Sequence, residues 1–165
     1  MRYALLVVFV LSLITAAYGY VMLPDRIASH FGADGQADGW SSKGSFTILM
    51  VFIDVLMFVM FYFSHVLLEK VDGRYLSLPN REYWLRDENM PAAIVKMRDF
   101  MAEFGVATML LLGYAKVSTI IANTGSKEGL NSGVFLGVTV IYLAYTIWWC
   151  VRLMRSYRIP KEGES

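Results

Sequence analysis

The stretch LPDRIASHFGADGQADGWSSKGS, residues 23–45, lies between two apolar blocks near the start of the chain. About 20 apolar residues of helix cross a bilayer core about 30 Å thick, and each block supplies that length. The stretch itself combines several Asp, Ser and Gly residues with His30, Trp40 and Lys43, which a passive connector does not need. We therefore expect it to form a folded cap between two membrane spans.

The composition of the whole chain also indicates a membrane protein. Of its 165 residues, 56% are hydrophobic and 15% are aromatic, which is too apolar for a typical soluble domain. Fifteen Lys and Arg against fourteen Asp and Glu give a net charge of +1, so charge does not favour a nucleic-acid partner. The single cysteine, Cys150, excludes an intrachain disulfide and is expected to be a small buried core residue.

Four segments are apolar and long enough to cross a bilayer. The chain is therefore predicted to be an all-α membrane protein with four transmembrane helices, a structured extracytoplasmic loop and an amphipathic cytoplasmic connection. The first segment begins like a secretory signal peptide, but its apolar run continues to Pro24 and is too long, so we expect a retained anchor. The predicted spans are residues 3–23, 46–68, 100–123 and 132–151, in a single domain of residues 1–153 that precedes a polar cytoplasmic tail, residues 154–165.

The basic residues outside the spans are divided unevenly between the two sides of the membrane. Cytoplasmic loops carry the excess of Lys and Arg in multi-pass proteins, so we expect both termini in the cytoplasm and residues 23–45 outside it. One side has only Arg26, Lys43 and Lys127. The other side has Arg2, Lys70, Arg74, Arg81, Arg86, Lys96, Arg98, Arg152, Arg155, Arg158 and Lys161.

The predicted cytoplasmic connection, residues 69–99, has an amphipathic segment of its own. LSLPNREYW has an apolar face, and its Asn80, Tyr83 and Trp84 are expected to lie at the level of the lipid headgroups. Pro91 stands where a helix can begin and run into the third span.

Four ionisable side chains fall within the spans: Asp54, His65, Glu103 and Lys116. Such groups cost roughly 2.5 kcal/mol or more near a helix centre, so they are expected to face protein or water. In an antiparallel hairpin of the second and third spans, Asp54 and Lys116 lie at matched depths, as do His65 and Glu103. We expect the deeper Asp54 and Lys116 to pair. Both a structural ion pair and a proton or ion path remain open.

Within the polar stretch, residues 24–31 are expected to form a short helix on the membrane surface, with Ile27 and Phe31 facing lipid. Trp40 is expected to anchor the far end, and Ser42 to lead into the second span. His30, Asp38 and Lys43 are expected to form a charge-paired set, which either holds the cap together or meets a ligand.

No metal, cofactor or catalytic site is expected. The sequence DGQADG has Asp and Gly at some positions of a calcium-binding loop, but Gln36 and Ser45 stand where two ligands are needed. A zinc site is not expected because the sequence offers no second His or Cys ligand near His30. A bis-histidine haem site is not expected because only one His falls within a span. Neither a G-x-S-x-G nor an H-E-x-x-H motif is present.

Residues 23–43 resemble the pattern L-P-x-x-I-P-x-H-F/W-x-x-x-G-x-x-D-x-x-x-S-K of the domain-of-unknown-function family 1648, although Ala28 stands where that family usually has Pro. LPNREYW, residues 78–84, resembles the LPN-x-x-YW segment of its short, four-span members. The resemblance implies a bacterial inner-membrane protein, and the same module forms the N-terminal part of SdpI-type immunity and signalling proteins. The residues on the first pattern are Leu23, Pro24, Ile27, His30, Phe31, Gly35, Asp38, Ser42 and Lys43.

These patterns favour a small inner-membrane protein with an extracytoplasmic cap for recognition or sensing, in the manner of immunity or signalling proteins. Its expected partners are membrane lipid and a protein or peptide at the outer face. Two alternatives remain: an accessory subunit of a larger membrane complex, in which Gly133, Gly137 and Ala144 would be close-packing points, and an enzyme acting on lipid or cell-wall precursors.

Overall fold

The computed structural model describes residues 1–64, 66, 70, 78–125 and 129–160. Four of the helices in these ranges are long and apolar enough to cross a membrane, so the prediction of a multi-pass protein with four candidate spans is confirmed. The elements, in chain order, are α1 (Arg2–Met22), β1 (Arg26–Phe31), β2 (Ala37–Ser42), α2 (Lys43–Tyr62), α3 (Arg81–Trp84), α4 (Met90–Thr124) and α5 (Ser132–Ser156).

The long helices differ from the predicted spans mainly at their ends. Helix α4 has 35 residues and begins at Met90, ten residues before the predicted span, because Pro91 in its first turn is compatible with a helix start. Helix α2 begins at Lys43, where the Ser42 hydroxyl caps it by accepting a hydrogen bond from the Ser45 N–H at 3.0 Å. Helix α5 continues to Ser156, so the first residues of the predicted polar tail are helical.

Helices α1, α2 and α4 pack against one another, whereas α5 packs mainly along α4. The backbones of α2 and α4 approach closely at Gly105, where a Cβ would lie 2.7 Å from the Cβ of Phe61. Most of the α5 surface is left for lipid, and this includes Cys150, which is exposed. The expectation of a buried cysteine is therefore wrong, because α5 has a protein neighbour on only one side.

The stretch after α1 is an antiparallel β-hairpin, so the all-α expectation is wrong in this part of the chain. The expected surface helix at residues 24–31 is also wrong. Pro24 follows the end of α1, and Gly35 adopts φ 81° in the turn, a conformation that suits glycine. Ile27 does not face lipid: it is fully buried with Leu23, Phe46 and Ile120 in a cluster between the hairpin and the helices.

At the end of the bundle away from the hairpin, α3 packs against the residue that follows α5. The Trp84 Nε1–H and the Asn80 amide both donate to the Tyr157 carbonyl at 2.8 Å, and the Tyr157 hydroxyl donates to the Ala93 carbonyl at 2.8 Å. Burial raises the pKa of Tyr157 to about 12. Trp84 is buried within protein, with Tyr83 edge-on to its ring, so Trp84 is not the headgroup anchor that its sequence position suggests.

We predict that Gly105→Ala lowers the free energy of unfolding by about 1–3 kcal/mol, because the added methyl group forces Phe61 and α2 away from α4. Gly113→Ala in the same helix is the matched control, since a Cβ there meets no atom within 4 Å. The control should be neutral or stabilising by up to about 1 kcal/mol, because alanine favours a helix over glycine. Unfolding in mild detergent followed by circular dichroism measures both variants, and equal effects would contradict the close approach.

Candidate functional site

The hairpin, residues 26–42, rests on the end of α4 through one side chain. The Asn123 Oδ1 accepts a hydrogen bond from the Ala28 N–H at 2.8 Å, and the Asn123 amide nitrogen donates to the Ala28 carbonyl at 2.9 Å. The same amide nitrogen donates to the Thr119 carbonyl at 2.9 Å, which fixes the Asn123 side chain on α4. Together with the buried Ile27, this contact holds the base of the hairpin rigidly on the helices.

The turn of the hairpin has a second support. The Leu130 N–H, in the connection between α4 and α5, donates to the Gly35 carbonyl at 2.9 Å. An open apolar cavity of about 410 Å³ lies beside this contact, between the hairpin turn and the first turns of α5. Phe31, Leu130, Phe135 and Leu136 are among its lining residues. The hairpin turn and Leu130 therefore belong to one surface at this end of the bundle.

The outward face of the hairpin presents charged and aromatic side chains. His30 and Asp38 are in contact across the strands, with 75% and 54% of their side-chain surfaces exposed. Arg26 lies over the Trp40 ring at 5.5 Å from its centroid, and Trp40 is 56% exposed. The face can therefore offer hydrogen-bond donors, a carboxylate and an aromatic surface to a ligand.

The expected set of His30, Asp38 and Lys43 is divided in the structure. Lys43 is the first residue of α2, and its ammonium contacts Asp25 at 3.0 Å and lies 5.4 Å from the centroid of the Tyr20 ring. Lys43 therefore belongs to the base of the hairpin, whereas His30 and Asp38 belong to its outward face. In the part of the chain that the structure describes, no group of three or more His, Cys, Asp or Glu residues is arranged to hold a metal.

Asp54 and Lys116 meet in the middle of the bundle, at 2.5 Å between Oδ2 and Nζ. Their side chains are 1% and 2% exposed. Ser12 of α1 completes the contact: its hydroxyl donates to the Asp54 Oδ1 at 3.1 Å, and Lys116 donates to both the Ser12 hydroxyl and the Ser12 carbonyl. We call Ser12, Asp54 and Lys116 the ion triad.

The hydrogen-bond pattern of the ion triad favours a structural role. An ammonium group has three N–H donors, and those of Lys116 are matched by three acceptors on Asp54 and Ser12. A path for protons or ions needs a site at which the transported ion can bind and leave. Here, by contrast, α1, α2 and α4 each supply one residue of the ion triad, and these residues bind one another. Sequence reasoning missed Ser12, although its position near the middle of the first apolar block was a signal.

Glu103 is bound by two side chains of α5. It accepts hydrogen bonds from Arg152 and, at 3.2 Å, from the Tyr145 hydroxyl, both on α5. The Arg152 guanidinium also lies between two aromatic rings, 4.8 Å from the centroid of Phe100 and 4.5 Å from that of Trp148. Glu103 therefore joins α5 to α4, and its expected match, His65, lies outside the described residues.

We predict that Asp54→Ala lowers the free energy of unfolding by about 3–5 kcal/mol, because it leaves the Lys116 ammonium buried without its counter-charge. The double variant with Lys116→Met should lose less than Asp54→Ala alone, since it buries no charge. Unfolding in mild detergent of both single variants and the double variant gives the coupling energy. Strictly additive effects would show that the two charges do not stabilise one another.

A family comparison identifies part of the chain. Residues 7–53 match the family model described as Domain of unknown function (DUF1648). No curated protein and no solved structure matches the chain. The matched range contains most of α1, the whole hairpin and the first half of α2; it includes Ser12 of the ion triad and ends one residue before Asp54. Over residues 7–53, this chain is therefore similar to the family Domain of unknown function (DUF1648).

Proposed function

We propose that the chain is an inner-membrane recognition or sensing protein whose hairpin binds a protein or peptide at the extracytoplasmic face. The observation that carries this proposal is the contrast between the two faces of the hairpin. Its base is fixed to the helices by Asn123 and Ile27, while its outward face exposes His30, Asp38 and Trp40. A rigid base of this kind supports binding, because ordering a ligand-binding surface in advance lowers the entropy cost of association.

The chemistry of the outward face favours a ligand with both polar and apolar parts. Trp40 offers a flat apolar surface, Arg26 beside it offers several N–H donors, and Asp38 offers a carboxylate. Trp and Arg are among the residues that contribute most to protein–protein binding. A peptide with an acidic group next to an apolar side chain fits this face. An immunity or signalling role would be one form of such recognition.

The proposed orientation follows from the basic residues. The hairpin end of the bundle has Arg26 and Lys43 among the described residues, whereas the opposite end has Arg2, Arg98, Arg152 and others. The positive-inside rule then favours cytoplasmic termini in a bacterial inner membrane, with the hairpin on the outer side.

A second candidate function, an accessory subunit of a membrane complex, is favoured by one face of α5. Gly133, Gly137 and Ala144 are exposed on this helix, and a Cβ at Gly137 would meet no atom within 4 Å. Small residues let a neighbouring helix approach closely in a membrane. A stoichiometric partner that remains bound in mild detergent and is lost in Gly137→Leu would support the subunit role. A monomer would disfavour it.

We predict that a cysteine at Gln36, in the exposed hairpin turn, reacts with a membrane-impermeant maleimide added to intact cells. A cysteine at Arg158, beyond α5, should react only after the cells are opened. Both are placed in a Cys150→Ser background because Cys150 is exposed. The reverse labelling pattern would place the hairpin in the cytoplasm and remove the proposed role.

We predict that a photo-reactive benzoylphenylalanine at position 40 cross-links to one discrete protein or peptide in intact cells. Combining it with Asp38→Asn and Arg26→Gln should lower the yield by about tenfold, because charge-assisted hydrogen bonds to the ligand are lost. Combining the photo-reactive residue with Asn123→Ala should also lower the yield. This change keeps the side chains of the outward face but removes the hydrogen bonds that hold the base of the hairpin on α4. Gel electrophoresis and mass spectrometry measure the adducts.

The control for this experiment is the same photo-reactive residue at Ile141, which is 70% exposed on α5. This position should give lipid adducts. If position 40 gives only the adducts seen at position 141, the outward face meets lipid and no partner, and the recognition role is wrong.

A further inference from the structure

The end of the bundle opposite the hairpin contains a cavity of about 330 Å³ that the proposed function does not use. It lies where the first turn of α1 meets the last turn of α2 and an early turn of α4. Its described lining residues are charged, aromatic or aliphatic: Arg2, Arg98 and Asp99, then Tyr3 and Tyr62, then Met1 and Leu6. We call it the basic cavity.

The Arg2 guanidinium is oriented by an aromatic ring. Its central carbon lies 4.2 Å from the centroid of the Tyr62 ring, a cation–π contact that orients the planar group. Among the residues that the structure describes, the buried Arg2 Nε has no hydrogen-bond partner. Arg2 lines the cavity, where the terminal N–H groups of its guanidinium can meet an acceptor.

Arg98 provides a second guanidinium on the same cavity. Its Nε donates to the Asp99 Oδ1 at 3.3 Å, and its two terminal amino groups make no hydrogen bond to a residue that the structure describes. Guanidinium groups bind phosphate oxygens through paired N–H donors, so the two arginines suit a phosphate group.

The charge of the lining favours a phosphodiester over a free phosphate. Among the described lining residues, two guanidinium groups and the Asp99 carboxylate leave a net side-chain charge of about +1 at neutral pH. A phosphodiester has a single negative charge, whereas a phosphomonoester has about −1.5 to −2 at pH 7. Asp99 would repel the additional charge of a monoester.

The surroundings of the basic cavity identify the source of the phosphodiester as a membrane lipid. Tyr3 is 86% exposed and Leu6 is 42% exposed on the outer surface of α1, just beside the two guanidinium groups. The acyl chain of a lipid can lie against these two exposed side chains while its headgroup enters the cavity. Basic pockets at the ends of transmembrane helices are a known arrangement for binding anionic headgroups.

We propose that the basic cavity binds the headgroup of an anionic glycerophospholipid, with Arg2 and Arg98 on its phosphodiester. The site is at the opposite end from the hairpin and does not depend on what the hairpin binds. A zwitterionic lipid has the same phosphodiester, but its quaternary ammonium brings a positive charge towards two arginines, so anionic lipid is preferred.

Native mass spectrometry of the full chain in detergent, titrated with dioleoyl phosphatidylglycerol or dioleoyl phosphatidylcholine, tests this proposal. The anionic lipid should bind roughly tenfold more tightly. Arg2→Gln or Arg98→Gln should remove most of that preference. Arg155→Gln is the matched control, since Arg155 is exposed in the last turn of α5 at the same end, outside the cavity. It should keep the preference.

A further variant, Asp99→Asn, distinguishes a loss of lipid contacts from a loss of folding. It removes the one negative side chain among the described lining residues, so it should tighten the binding of phosphatidylglycerol, which a misfolded protein would not do. Equal affinity for the two lipids would overturn the proposal, as would equal losses in Arg2→Gln and Arg155→Gln. Displacement of the bound lipid by millimolar inorganic phosphate, with phosphate binding lost in Arg2→Gln, would assign the cavity to free phosphate and overturn the lipid assignment.

Discussion

The rest of this structure depends on a buried ion pair in an apolar environment. Asp54 and Lys116 neutralise one another between α2 and α4, and Ser12 brings α1 to the same point. Each charged group would be costly alone at membrane depth, so helix registers that separate them are strongly disfavoured. Apolar packing between helices in lipid is much less specific, because lipid chains are as apolar as the side chains they replace. The ion triad therefore fixes how the three core helices align along their axes.

The alignment of the helices sets the geometry of the hairpin. With α1, α2 and α4 in register, Leu23, Phe46 and Ile120 come together at one end of the bundle and provide the surface on which Ile27 is buried. The same alignment places Asn123 of α4 beneath Ala28, where its amide binds the strand backbone as a neighbouring strand would. The outward face of the hairpin is thus positioned by contacts that begin in the middle of the membrane-spanning region.

The features that could be predicted from the sequence depend on the hydrophobic length of a segment or on the depth of a charged residue within its span. Hydrophobic length predicted four spans, and matched depths in a hairpin predicted that Asp54 meets Lys116. The β-hairpin was not predictable from the spacing of Ile27 and Phe31, which fits one face of a helix equally well. The extended form is selected by Asn123, which is distant in sequence and matches a strand backbone. The burial of Trp84 and the pairing of Glu103 with Arg152 also depend on long-range packing, which the local pattern does not contain.

The order of the ion triad along the chain has a consequence for biogenesis. Asp54 is synthesised 62 residues before Lys116, so α2 enters the membrane with an acidic side chain whose partner ammonium does not yet exist. Of the two described partners of Asp54, the Ser12 hydroxyl, on the helix inserted before it, is the one present during that interval. The strongly apolar remainder of α2 must therefore supply the free energy for its own insertion. The Asp54–Lys116 ion pair can form only when the third long helix is synthesised, before α5 is inserted.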